Sequence, residues 1–185
     1  AKLMTMAFLG ADLAPIAADL IERARVDDSD ADALMDLSII IVSYNTRVDL
    51  LNCLTSLRQH PPSASHEIIV VDNASSDDSV AAAEACEGVR VIRRPTNGGF
   101  AVANNDGLRA STGDLVLLLN SDTVAPPGAI DQMVERIRRS PDVAVLGPRL
   151  VDAAGRAELS FGAMLTPLTE WKQRRLVKGV AANDP

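Results

Sequence analysis

Residues 115–123 read LVLLLNSDT: five apolar strand formers run without a break into Asn120, Ser121 and Asp122. A run that is apolar on both faces belongs to a strand covered on both sides, and such strands occur in parallel sheets sandwiched by helices. Runs of the same kind recur as LSIIIVS (37–43), EIIVVD (67–72), VRVIRR (89–94), DLVLLLN (114–120) and VAVLGP (143–148). Stretches with helical spacing separate them, at about 47–59, 77–87, 99–111 and 127–139. The alternation predicts βαβ units, hence an α/β fold with a mainly parallel sheet flanked by helices. Parallel strands finish at one edge of the sheet, and ligands of such folds collect there.

The remainder of the chain sets bounds on function. At 185 residues, 47% hydrophobic and 23% charged, it holds one domain with extensions and no apolar run near the ~20 residues of a membrane span. A net charge of -7 argues against nucleic acid as a partner, because duplex binding needs a dense basic surface. The acid is concentrated early, with 8 Asp/Glu against 3 Lys/Arg in residues 1–36. That segment is read as an N-terminal extension with an amphipathic helix at 13–25 and an acidic linker, DDSDAD, at 27–32. Its opening lacks a signal-peptide core and cleavage site, and Cys53 and Cys86 have neither metal-ligand nor disulfide spacing; both point to a cytoplasmic protein with reduced thiols. After Pro148 the sequence predicts a hairpin turning at Ala154 and Gly155. A basic helix follows at about 167–178, carrying Trp171, in a tail of residues 166–185. Its charge suits peripheral contact with the inner face of a membrane, but its apolar face is short and an ordinary exposed helix is the better account.

The polar residues gather where the strands stop. The first strand ends in Ser43, Tyr44 and Asn45; the second in Asp72 and Asn73; the third leads to Asn97, Gly98 and Gly99; the fourth reaches Asn120, Ser121 and Asp122. Such residues also form turns and cap helices, and Asp122 competes for the N-cap of the helix after Pro126 and Pro127. Four clusters converging on one edge favour a nucleotide diphosphate site. Asp72 offers a carboxylate for a base imide or ribose hydroxyl, Tyr44 a ring to wall the base, and the Gly98–Gly99 pair bare backbone before a helix. No glycine occupies the turn VSYNTRVDL, which excludes a dinucleotide fingerprint or P-loop there. With few Lys/Arg at the strand ends, phosphate charge calls for a hard cation, Mg2+ or Mn2+, held by Asp122 with Asn120 beside it.

SIIIVSYN, EIIVVDNASSDDS, NGGFAVANNDGLRASTGDLVLLLNSDT and VLGPRLVD, in that order over residues 37–165, resemble the family 2 glycosyltransferases of the GT-A fold, most closely a rhamnosyltransferase-like subgroup. The resemblance implies a nucleotide-diphospho-sugar-binding domain in which Val42, Ser43, Tyr44 and Asp72 hold the nucleoside. Asp122 closes a DXD-like metal motif whose first Asp is replaced here by Asn120, and Asn105 of ANNDG lines or braces the same pocket. It further implies inverting transfer of a sugar, rhamnose by subgroup, from a dTDP- or UDP-sugar to a glycan or lipid-linked acceptor in cell-envelope polysaccharide synthesis. In such relatives the half beyond GPRL supplies the acceptor groove and the general base, so the chain is expected to be truncated on that side, with no catalytic base assigned. A non-catalytic nucleotide-sugar-binding module is the alternative.

Overall fold

The computed structural model describes residues 2–5, 35–148, 150–151 and 157–158. In chain order its elements are β1 (Lys2–Thr5), β2 (Leu37–Ser43), α1 (Arg47–Gln59), β3 (His66–Asp72), α2 (Ser79–Glu84), β4 (Val89–Arg93), α3 (Phe100–Ala110), β5 (Leu115–Asn120), α4 (Ala129–Arg138), β6 (Val145–Leu146), β7 (Leu150–Val151) and β8 (Ala157–Glu158). The first six strands form one sheet in the order β4-β3-β2-β5-β1-β6, with every pairing parallel. β7 and β8 pair antiparallel through Val151 and Ala157, as the sequence predicts for a hairpin there. The expected helices at 13–25 and 167–178, the acidic linker and the hairpin tip lie outside the described residues.

Two-sided burial explains the uniform apolarity of the central strands. Alternate residues Leu37, Ile39 and Ile41 of β2 and Leu115, Leu117 and Leu119 of β5 face α1 and α4, where Leu50, Leu54, Leu57, Ile130, Met133 and Ile137 close the layer. The residues between them, Ile40, Val42, Val116 and Leu118, join Ile69 and Val71 of β3 under Ala103 and Leu108 of α3. Gly107 lets α3 come down onto β2, since a Cβ there would sit 2.5 Å from a methyl carbon of Ile40.

Two elements depart from the sequence reading. α2 is shorter than 77–87 because Asp77 turns back to accept the Ser79 N–H at 3.0 Å and Gly88, at φ +78, starts the turn into β4. β1 was read only as a weak apolar opening; four residues carry too little pattern to announce a strand, and its place comes from pairing with β5 and β6. No helix among the described residues is long and apolar enough to cross a membrane.

Candidate functional site

Register brings the strand tips together. Val42 lies beside Asn120 and Ser43 beside Asp72, so the loops after β2, β3, β4 and β5 all leave the same edge. Between them opens a cleft of about 410 Å³. Val42, Tyr44, Thr46 and Asp49 line it from the β2–α1 connection, Asn73 from β3, Asn97, Gly99 and Phe100 from the start of α3, and Asn120, Ser121 and Asp122 from β5. Among the described residues no Lys or Arg stands on this wall.

The polar residues divide into those that face the cleft and those that hold its loops. Tyr44 is 48% exposed, and Asp122 and Asp49 are exposed carboxylates that accept no hydrogen bond and meet no cation among the described residues. Gly128, in the left-handed region at φ 72, occupies the N-cap of α4, so Asp122 is not spent as a helix cap. Its charge reaches beneath the floor: burial first, and Asp122 second, push the Cys53 thiol up to about 12. That sulfur is inert, as expected for a buried structural cysteine.

Ser43, Asn45, Asp72, Gly98 and Asn105 stand off the wall. The Ser43 hydroxyl shares a hydrogen with Thr46 at 3.0 Å, and Thr46 donates to Ser121 at 3.1 Å, which ties the end of β2 to the end of β5. Asn45 takes a left-handed φ of 55 and Ala74 one of 67, a conformation disfavoured by about 1 kcal/mol or more for a residue with a Cβ. The strain is offset by cross-bracing: the Asn45 N–H donates to Ser75 Oγ at 2.9 Å, and Asn45 Oδ1 accepts the Ser76 N–H at 2.8 Å. Asp72 is 3% exposed; its Oδ2 accepts the Ser75 N–H at 3.0 Å, while Oδ1 is buried without a partner. Asn105 Oδ1 is likewise orphaned. A buried acceptor left empty is a site waiting for a donor.

The glycine pair acts differently from the sequence expectation. The Gly98 N–H donates to Asn73 Oδ1 at 3.1 Å and the Gly99 N–H to Asn97 Oδ1 at 2.9 Å, so neither amide is open to a ligand. Gly99 is needed for its φ of 85 at the head of α3. Thr46, Asp49 and Phe100 escaped the sequence reading because each begins a helix whose apolar spacing dominates the pattern. Their position one to four residues beyond a strand-end cluster was the available signal.

The donor set, the bare carboxylates of Asp122 and Asp49 with the side-chain oxygen of Asn120 on the same cleft, is all oxygen. Such a set fits a hard divalent cation and suits neither zinc nor copper.

Residues 38–176 match the profile of Glycosyl transferase family 2. An uncharacterized glycosyltransferase of Haemophilus influenzae is 36% identical over 107 residues, 58% of this chain and 36% of that protein. A dolichol-phosphate mannosyltransferase of Pyrococcus furiosus is 31% identical over 120 residues, 63% of this chain and 34% of that protein. Among solved structures, S. aureus TarS 1-349 in complex with UDP superposes with a TM-score of 0.53 at 26% identity, over 57% of this chain and 32% of that one. The chain spans about a third of the length of these relatives.

Proposed function

The chain belongs to glycosyl transferase family 2 and has the GT-A fold, and from that premise we propose that it forms the donor half of an enzyme that transfers a sugar, with inversion, from a nucleotide diphosphate to an acceptor hydroxyl. The observation that carries the proposal is the cleft itself. Four strand tips converge on it, it presents Asp122 uncompensated, and among the described residues it contains no basic side chain to meet a diphosphate. Two negative partners come together only if a cation stands between them. Asp122, with Asn120 beside it, would hold Mg2+ or Mn2+, and Asp49, which lines the same cleft, would add negative charge. When bound, the metal supplies charge neutralisation for the departing nucleoside diphosphate, an effect of several kcal/mol in comparable sites.

The residues of the chain divide the remaining work. Tyr44 walls the base, and Asp72, just behind that wall with one buried oxygen unpaired, would receive an N–H or O–H of the nucleoside once the Ser75 loop moves off it. Asn73, Asn97 and the first turn of α3 border the space left for phosphate and sugar. The rhamnosyltransferase-like motifs make a deoxyhexose on dTDP or UDP the first donor to try, with a glycan or lipid-linked acceptor of the cell envelope and action at the inner face of the membrane. UDP in the related TarS structure supports a pyrimidine. Calorimetry with UDP-, dTDP- and GDP-sugars, each with and without Mg2+ or Mn2+, tests the reading. Metal-dependent binding of a pyrimidine nucleotide is expected; binding indifferent to metal defeats it.

A further inference from the structure

Just behind the cleft wall lies a cation that never touches the cleft. Arg94 follows the last residue of β4, its backbone N–H donating to the Asp72 carbonyl at 2.9 Å, and its side chain is only 14% exposed. The guanidinium is spent inward: Nε donates to Asp106 Oδ2 of α3 at 2.7 Å, and Nη1 to Asn73 Oδ1 at 2.7 Å and to the Thr96 carbonyl at 3.2 Å. It lies flat against residue 98, where a Cβ would come within 2.6 Å of Nη1. Glycine at 98 therefore makes room for the arginine.

These contacts settle which way two amides point. Asn73 Oδ1 faces Arg94 Nη1 and the Gly98 N–H, and neither group can accept a hydrogen bond, so the oxygen must stand there and the nitrogen opposite. The Asn73 nitrogen then donates to Asn97 Oδ1 at 2.8 Å, an oxygen that also accepts the Gly99 N–H. With its oxygen doubly engaged, Asn97 keeps its NH2 group for the cleft, where it has no partner among the described residues. We propose that Arg94 is a positioning residue for donor binding: through Asn73 it fixes Asn97 so that this wall offers N–H donors to oxygen atoms of the diphosphate or sugar. The inference rests on the nucleotide-sugar reading of the cleft. It assigns Arg94 a role in substrate recognition without contact in the site, its guanidinium sharing the Asp106 carboxylate with Arg109.

The test uses the whole chain and the nucleotide-sugar that binds best in the calorimetric panel. Arg94→Met and Asn97→Asp are made singly and together, and thermal unfolding is recorded alongside affinity. Each single change is expected to weaken binding about tenfold or more, and the double change to lose no more than the worse single one, because both remove the same oriented N–H group. Asn97→Asp keeps the oxygen that accepts from Asn73 and Gly99, and its loss is read against Asn97→Ala, which removes the N–H group without setting a new charge beside the diphosphate and must weaken binding as well. Arg94→Lys, which keeps the charge but lacks the fork that spans Asp106 and Asn73, should restore stability more than affinity. A folded Arg94→Met that binds as the parent does, or losses that multiply in the double variant, overturns the proposal. Should Arg94→Met not fold, Asn73→Asp sets an oxygen against Asn97 Oδ1 and must produce the same loss; unchanged affinity there is equally fatal. If no nucleotide binds the parent protein, the functional reading fails, and the inference is judged by NMR instead. The Asn97 side-chain NH2 resonances must then shift in Arg94→Lys, and fixed resonances refute it.

Discussion

The two edges of the sheet use the same residue types to opposite ends. At the amino edge Glu67 and Asp36 are both paired. Glu67 Oε1 accepts from the Ser38 hydroxyl at 2.7 Å and from the Thr112 N–H and hydroxyl at 2.7 and 2.8 Å, with Arg90 3.3 Å from its other oxygen. Asp36 takes the Ser65 N–H and hydroxyl and an ion pair with Arg138 at 2.5 Å. At the carboxyl edge Asp49 and Asp122 stand bare. Paired acids hold a fold together, whereas bare acids beside a cleft add self-repulsion unless a ligand completes them. The contrast separates stability from function on a single scaffold.

The sharpest way to break that contrast is Asp122→Ala. Metal-dependent nucleotide affinity should fall by roughly 100-fold or more in calorimetry, with the melting temperature unchanged, because the side chain is exposed and makes no bond that folding would miss. A fall in melting temperature would assign Asp122 to the scaffold instead. Glu67→Ala should do the reverse. It strands the Ser38 hydroxyl and the Thr112 amide, and urea unfolding should report a loss of about 2–3 kcal/mol while nucleotide affinity stays within about twofold.

The pH dependence sharpens the same comparison. Burial raises the Glu67 pKa, but the Ser38 and Thr112 bonds and Arg90 together bring it below its ordinary 4.5. Bonds from Ser65 and Arg138 lower Asp36 below 3.8. A depressed folded pKa gives stability that is full above the ordinary value and lost as pH falls through the folded one. The urea midpoint should therefore hold above about pH 4.5 and decline below it, less steeply in Glu67→Ala than in the parent. An equal decline in both would remove Glu67 from the account. The smallest expected effect is Tyr44→Ala, a loss of about 1 kcal/mol in nucleoside affinity from a half-exposed ring; no change would take the ring away from the base.

Much of this architecture is legible in the sequence because burial on both faces leaves no polar residue inside a strand and forces polar residues to its ends. β2 and α1 run over the expected 37–43 and 47–59, since each is bounded by residues whose chemistry stops it. The sorting of the strand-end residues into those that face the cleft and those that brace it was hidden. Ser43, Asn45 and Gly98 look no different in sequence from Tyr44 and Asn97; only the register of the strands and the direction of each loop assign them. Arg94 was hidden for another reason. It reads as the polar end of VRVIRR, and its burial depends on Asp106 and Asn73, which no local pattern joins to it.

β1 inserts between β5 and β6 although nearly all of the described domain separates it from them in the chain. During vectorial synthesis Lys2–Thr5 emerges from the ribosome long before the edge it pairs with, and it docks only after Leu115–Leu118 have been made. Among the described strands β6 pairs with β1 alone, so this edge of the sheet waits on a long-range pairing that slows its completion. A bulky fusion placed just ahead of Lys2 would hinder that docking while leaving the donor cleft, assembled from β2 to β5, already formed.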